Sequence, residues 1–151
     1  MAKWGLGRFG VSGGCAYQCK LRSILSRSAV DLRVNLQREE VVSAIREADL
    51  MVSTSRKEAN SLALLESMAA GVPWVSFDVG SARENGGGAV VNNLDEMRQA
   101  VSEFSRNLEL RRNLGNAGHA QVVEKHNWDS IVDQYEQLYE SAVGQRSAVA
   151  C

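Results

Sequence analysis

The stretch ADLMVSTSRKEANSLALLESMAAGVPWVSFDV (residues 48–79) decides the fold, because it places one helical segment between two short apolar runs. Residues 50–52 predict a short buried strand, residues 61–70 a helix and residues 74–79 a second strand. Gly71 ends the helix, since glycine readily takes the left-handed conformation of a helix C-cap. Two strands joined through a helix with short connections predict parallel pairing.

The same alternation continues on both sides of this unit. Further short strands are predicted at 29–34 and 89–91. Helices are predicted at 16–28, 38–48, 93–105, 108–125 and from Asn127 onward. The chain therefore predicts an α/β fold, a Rossmann-like doubly wound parallel sheet with a helical C-terminal tail.

The last predicted helix carries an apolar stripe. It consists of Trp128, Ile131, Val132, Tyr135, Leu138, Tyr139 and Ala142. A stripe with this spacing marks one face of an amphipathic helix. We therefore expect this face to pack in the core or against another domain.

Composition and charge limit the classes of function. The chain has 151 residues, 44% of them hydrophobic, and a formal net charge of −1. This is enough for one domain with its own core, and it gives no overall positive charge for nucleic acid or an anionic membrane. No apolar run approaches the roughly 20 residues of a membrane helix, and the N-terminus lacks the apolar region of a signal peptide. We expect a cytoplasmic protein.

The cysteines do not predict a metal site. Cys15, Cys19 and Cys151 form an odd set whose spacing matches no common zinc or iron–sulfur pattern. We therefore expect reduced thiols and no bound metal.

The glycine-rich start contains GLGRFG (residues 5–10), which matches the dinucleotide-binding fingerprint in letters alone. That fingerprint needs a buried strand before its first glycine, and only four residues precede Gly5. We expect residues 1–14 to be irregular or truncated, with dinucleotide binding as a disfavoured alternative. Residues 144–151 are expected to be a frayed tail.

Two glutamates, Glu58 and Glu66, lie eight positions apart. In one continuous helix their carboxylates would be about 12 Å apart along the axis and on different faces, so they could not share a metal or form a close acid/base pair. Asn60 and Ser61 both favour helix N-caps, which predicts a helix starting there and leaves Glu58 in the preceding loop.

The predicted helix N-terminus is a candidate anion site. Ligands of open parallel sheets bind beyond the carboxyl ends of the strands, where the backbone N–H groups of Ser61, Leu62 and Ala63 would lie. Glu58 precedes these amides and Glu66 follows them by about one turn. Because carboxylates accept strongly from hydroxyls, this order suits a sugar, a diphosphate and a ribose in sequence.

The motif of Glu58 and Glu66 resembles the donor-binding motif of retaining GT-B glycosyltransferases of the family 4 type, the glycosyl transferases group 1. The resemblance extends over residues 15–143 and rests on further segments in the family's order. These are ADLMVSTS (48–55), SMAAGVP (67–73), FDVG (77–80) with Glu84, and HNW (126–128) with Tyr135 and Tyr139. It implies that residues 15–143 are part of a GT-B C-terminal, donor-binding domain.

The resemblance also implies roles for individual residues. Glu58 would hold the transferred sugar and is the candidate catalytic residue. The amides of Ser61, Leu62 and Ala63 would hold the diphosphate, and Glu66 would bind the ribose of a nucleoside-diphosphate sugar. Such enzymes work in carbohydrate biosynthesis, usually without a metal. Ser55 and Asp78 are weaker candidates for ligand contact.

The resemblance also implies missing parts. Such enzymes hold their acceptor in a second domain, which we expect to be supplied by a partner or by more chain, and any membrane association is expected only through it. The first strand of the donor domain, with the basic pair that grips the diphosphate, would lie before residue 15, where we expect no strand. The isolated chain is therefore expected to be inactive or poorly active. The alternative is a non-catalytic Rossmann-like remnant or interaction module.

Overall fold

The computed structural model describes residues 7–10, 30–33 and 35–148. The chain divides into two compact units, residues 1–47 and residues 48–151. The helix predicted at 16–28 and the three cysteines lie outside the described residues.

The first unit contains a pair of parallel strands. Strand β1 (Gly7–Gly10) pairs with β2 (Val30–Arg33), with Gly7 opposite Val30 and Gly10 opposite Arg33. Helix α1 (Arg38–Arg46) follows, and at its start the Glu40 carboxylate accepts the N–H of Gln37 at 2.8 Å.

The expectation of an irregular segment without a strand before residue 15 is wrong for residues 7–10. The strand is short and its ends are glycines, so it has no alternating apolar pattern by which it could be recognised. Its pairing partner lies more than twenty positions away in the sequence. Pairing across such a distance leaves no local signal.

The second unit is built on a three-stranded parallel sheet. Its strands are β3 (Met51–Ser53), β4 (Trp74–Phe77) and β5 (Gly88–Val91), in the order β3-β4-β5. Its helices are α2 (Leu62–Ala69), α3 (Leu94–Arg106), α4 (Leu108–Lys125) and α5 (Trp128–Ala148), with a short 3-10 turn at Ala82–Glu84. Helix α5 extends beyond residue 143, the predicted end of the domain.

Both faces of this sheet are covered. On one face Val75 and Phe77 of β4 pack with Val91 and with Met97 and Phe104 of α3. On the other face Trp74 packs with Leu64 and Met68 of α2 and with Ala82. Side chains of a strand alternate between its two faces, so one four-residue strand serves both cores. The predicted doubly wound, Rossmann-like fold is confirmed.

Helix α2 ends as predicted at Gly71, whose φ is +70°. The N–H of Val72 donates to the carbonyl of Ser67 and the N–H of Gly71 to that of Met68, both at 2.9 Å. This is the Schellman arrangement, which satisfies the last carbonyls of the helix. Helix α4 packs closely on this turn, because a Cβ on Gly115 would lie 2.1 Å from the carbonyl oxygen of Gly71.

The apolar stripe of the last helix is not part of the described core. Trp128 is 78% exposed and Tyr139 65%, and Val132, Tyr135 and Leu138 are also exposed. The first of the two expectations, packing of this face in the core of the second unit, is wrong. Amphipathic spacing shows that a helix has an apolar face, but it does not show what covers that face. Packing against another domain stays a prediction.

None of the helices in the described part of the chain combines the length and apolar character needed to cross a membrane.

Candidate functional site

Helix α2 begins beyond the carboxyl end of β3, where ligands of parallel sheets bind. Ser61 is its N-cap, with φ −82° and ψ 103°, and Leu62 is its first helical residue. Glu58 therefore lies in the loop before the helix and Glu66 within it. The predicted start of this helix is confirmed.

The first turn of α2 has free backbone donors. The side chain of Ser61 makes no capping hydrogen bond, and its carbonyl accepts the N–H groups of Leu64 and Leu65 at 3.1 and 3.3 Å. Among the residues that the structure describes, no acceptor is found for the N–H groups of Leu62 and Ala63. These two donors can bind an anion.

The other helices of this unit begin differently. The side chains of Asn93, Asn107 and Asn127 accept backbone N–H groups at the starts of α3, α4 and α5. Each of these helices also has an acidic residue in its first turn, whereas α2 has none. The positive end of the α2 dipole is therefore not offset by a carboxylate of its own first turn.

The two glutamates lie on either side of these amides along the chain. Glu58 is half-buried and its carboxylate has no hydrogen bond or ion pair within the described part of the chain. Glu66 is also half-buried and follows Leu62 and Ala63 by four and three positions, which places it on their side of the helix.

The loop before α2 is held by the segment after β4. The N–H of Ser81 donates to the carbonyl of Ala59 at 3.0 Å, and the Ser81 hydroxyl donates to Oδ1 of Asn60 at 2.8 Å. Gly80 packs so closely that a Cβ there would lie 2.3 Å from the carbonyl oxygen of Ala59 and 2.7 Å from that of Glu58. The backbone around Glu58 is thereby fixed from outside its own loop.

Asp78, a weaker candidate, is engaged by a neighbouring cation. The guanidinium of Arg83 donates to both of its carboxylate oxygens, at 2.7 and 2.6 Å. This hydrogen-bonded pair raises the pKa of Arg83 further above its ordinary value. A ligand that binds the Asp78 carboxylate must therefore bind it alongside Arg83 or replace Arg83. Ser55, the other weaker candidate, is half-buried in the loop after β3.

One cation of the loop was missed by sequence reasoning. The guanidinium of Arg56 lies 5.3 Å from the ring centroid of Phe77, at the carboxyl end of β4. The two residues are 21 positions apart, and only the adjacent basic pair Arg56 and Lys57 before the Glu58 motif could have pointed to it. The site thus has a positive side chain near its strand ends, within reach of cation–π attraction.

Neither the dinucleotide alternative nor a metal site is supported by the described residues. Gly7 and Gly10 of the fingerprint lie within strand β1, whereas the fingerprint requires its glycines in the turn between strand and helix. Within the same described residues, no group of three His, Cys, Asp or Glu side chains could hold a metal ion.

The family model described as glycosyl transferases group 1 matches residues 8–107, which include the loop before α2 and the whole of α2. The chain belongs to this family. The family and the Rossmann-like GT-B fold predicted from the sequence are both confirmed.

Among curated proteins, this group 1 chain is 29% identical to the N-acetyl-alpha-D-glucosaminyl L-malate synthase of Bacillus anthracis, over 80% of this chain and 34% of that protein. It is 31% identical to an uncharacterized glycosyltransferase of Methanocaldococcus jannaschii, over 68% of this chain and 30% of the other. The chain thus spans about a third of the length of these relatives.

The solved structures show the same fold. Sucrose-phosphate synthase from Thermosynechococcus elongatus matches 91% of the group 1 chain with a TM-score of 0.78 and 20% identity, over 38% of its own length. A mutant of TarM from S. aureus, crystallised with UDP among its ligands, matches 87% with a TM-score of 0.72 and 20% identity, over 28% of its length. Both neighbours are larger than the group 1 chain.

Proposed function

We propose that this chain binds the nucleotide-activated sugar donor of a glycosyltransferase, for retaining transfer to an acceptor held by a domain outside it. The observation that carries the proposal is the uncapped start of α2 between Glu58 and Glu66. It is supported by membership of the glycosyl transferases group 1 family.

The diphosphate lies at the start of α2 in this proposal. It accepts from the backbone N–H groups of Ser61, Leu62 and Ala63. The first turn offers free N–H groups at Leu62 and Ala63 and has no acidic side chain that would repel an anion. A diphosphate also gains from the helix dipole, which is positive at this end.

The two carboxylates hold the hydroxyl groups on either side of the diphosphate. Glu66 binds the ribose, and Glu58 binds the transferred sugar and is the candidate catalytic residue. Hydrogen bonds from hydroxyls to a carboxylate are charge-assisted and stronger than neutral ones. The contacts of Gly80 and Ser81 on the backbone of residues 58–60 keep Glu58 in place before a ligand binds.

The donor-binding domain at residues 15–143 and the missing acceptor domain remain part of the proposal. The relatives and solved structures that match are about three times as long as the matched segment or longer, which agrees with a further domain elsewhere. The proposal includes no metal, and the positive end of the α2 dipole lies at the diphosphate.

A proline substitution tests the amide site directly. Proline is tolerated at the first helical position but has no N–H. Leu62→Pro removes one proposed phosphate donor, and the extended backbone of Ser61 suits a residue before proline. Leu94→Pro is the matched control, since Leu94 is the first residue of α3, is also exposed, and follows the extended Asn93.

Binding of UDP, GDP and ADP to the full chain is measured by calorimetry. We expect Leu62→Pro to weaken binding of the preferred nucleotide about tenfold or more, as for a hydrogen bond to a charged group, and Leu94→Pro to leave it unchanged. Equal affinity of Leu62→Pro and the original chain, with both folded, would contradict the amide site. Absence of binding by all three nucleotides would favour the non-catalytic remnant.

A further inference from the structure

The segment that follows β4 is anchored in the core rather than loosely attached. Ala82 is 2% exposed and packs with Leu64, Met68 and Trp74. The N–H of Glu84 donates to the carbonyl of Ser81 at 2.9 Å, which closes the 3-10 turn. Ser81 therefore has a fixed backbone position relative to the buried face of α2.

This anchoring continues on the far side of the turn. The side chain of Gln121 in α4 donates to the carbonyl of Glu84 at 2.9 Å, and its oxygen accepts the N–H of Gly86. Residues 81–86 are thus held by the core at Ala82 and by α4 at Gln121. The backbone that carries Ser81 is therefore held in place on both sides.

From this fixed position, Ser81 forms a hydrogen bond with the side chain of Asn60. Its hydroxyl donates to Oδ1 of Asn60 at 2.8 Å, and its N–H donates to the carbonyl of the preceding Ala59 at 3.0 Å. Because the Ser81 hydroxyl occupies Oδ1, the Nδ2 hydrogens of Asn60 remain available to a ligand. The exposed side chain of Asn60 therefore offers a hydrogen-bond donor. Asn60 immediately precedes the N-cap of α2.

We propose that Ser81 is a positioning residue for the donor site and that the Asn60 amide it holds donates to a phosphate oxygen of the nucleoside diphosphate. This inference rests on the proposed function. Asn60 precedes Leu62 and Ala63 by two and three positions, and its amide would add a neutral hydrogen-bond donor for the anion. Without Ser81 the Asn60 amide can rotate and lose its preferred orientation.

The test compares binding of a nucleoside diphosphate with binding of the matching nucleoside, both to the full chain. Ser81→Ala is expected to weaken diphosphate binding about fivefold and to leave nucleoside binding unchanged. Ser81→Thr keeps the hydroxyl and is expected to restore the affinity. Asn60→Asp keeps the size and the acceptor for Ser81 but replaces the donor with a negative charge, so it is expected to weaken diphosphate binding more than Ser81→Ala.

A double variant, Ser81→Ala with Asn60→Ala, checks whether the two residues act together. The loss in the double variant should equal the loss in Asn60→Ala alone, because Ser81 acts only through Asn60. Unchanged diphosphate affinity in Ser81→Ala, or equal losses for nucleoside and diphosphate, would overturn the inference while leaving the proposed function standing. Absence of nucleotide binding by the unsubstituted chain would instead remove the proposed function itself.

Discussion

Gly80 and Ala59 are in closer contact than any other residue type at position 80 would allow. A Cβ at Gly80 would lie 2.3 Å from the carbonyl oxygen of Ala59, and the φ of Gly80 is +53°. The backbone of Gly80, in the segment after β4, therefore packs directly against the backbone of the loop that carries Glu58. The position is closed to side chains for both steric and conformational reasons.

Gly80→Ala should therefore destabilise the chain and impair donor binding together. We expect a loss of at least about 2 kcal/mol in the free energy of unfolding, from the left-handed backbone and the clash combined. Gly71→Ala is the matched control, since Gly71 has φ +70° but a Cβ there would meet no atom within 4 Å. It should cost about 1 kcal/mol and leave nucleotide affinity unchanged. Urea denaturation and calorimetry measure both effects, and equal costs for the two variants would contradict the close contact.

Gly115→Ala tests the packing of α4 on the end of α2. The added methyl would meet the carbonyl oxygen of Gly71 at 2.1 Å, and a backbone atom cannot move aside cheaply. We expect a loss of about 2 kcal/mol or more in unfolding free energy, despite the better helix propensity of alanine. Asn116→Ala, at the exposed neighbouring position, should change stability by no more than about 0.5 kcal/mol. A neutral Gly115→Ala would show that the helices are not in such close contact.

Two leucines should respond differently to truncation. Leu64 is fully buried between α2 and the sheet, whereas Leu138 on α5 is 60% exposed. Leu64→Ala should cost about 2–5 kcal/mol and Leu138→Ala less than about 0.5 kcal/mol. Thermal or urea unfolding of the isolated chain distinguishes them. A large effect of Leu138→Ala would mean that the stripe on α5 is covered in solution.

The contrast between these leucines shows how far the sequence could predict the fold. The β3-α2-β4 unit follows from local signals, namely two apolar runs, a helix between them and Gly71 at its end. Leu64 and Leu138 both lie in predicted helices, and Leu138 was expected to pack in the core or against another domain. Only the folded chain separates them, because burial depends on neighbours that are distant in sequence.

The candidate site likewise has features that the sequence predicts and features that it does not. The helix start and the positions of Glu58 and Glu66 relative to it could be predicted from capping preferences. The contacts of Ser81 with Asn60 and of Arg56 with Phe77 each join residues 21 positions apart and have no local pattern. Strand β1 was missed because it begins and ends with glycine and has no alternating apolar pattern. Its pairing with the distant β2 leaves no local signal.

Glu96 gives the start of α3 a pH dependence. Its carboxylate accepts the N–H of Asn92 at 2.8 Å and the side-chain amides of Asn92 and Asn93 at 3.0 and 2.6 Å. The Asn92 backbone hydrogen bond is the largest cause that lowers the pKa of Glu96 below its ordinary value. A carboxyl group with a lowered native pKa stabilises the fold when ionised and loses this contribution on protonation.

The stabilising effect of Glu96 should therefore be present above its unfolded pKa of about 4.3 and disappear as the pH falls through the lowered native pKa. We expect Glu96→Gln to be less stable than the original chain at pH 7, with the difference closing as the pH falls through the lowered native pKa. Urea denaturation across this range measures it. Glu103→Gln, on the exposed side of the same helix, is the control. A difference that stays constant with pH would contradict the account of Glu96.

The most direct test of the donor site is a calorimetric titration of the full chain with UDP, GDP and ADP, comparing the original chain with Glu66→Ala. Glu103→Ala serves as a control, because it removes an exposed helical glutamate away from the start of α2. We predict saturable binding of one nucleotide that Glu103→Ala retains and Glu66→Ala reduces at least tenfold, since the carboxylate proposed to accept the ribose hydroxyls is lost. Equal affinities in all three folded proteins, or no binding by any of them, would contradict the proposal that this chain binds the sugar donor.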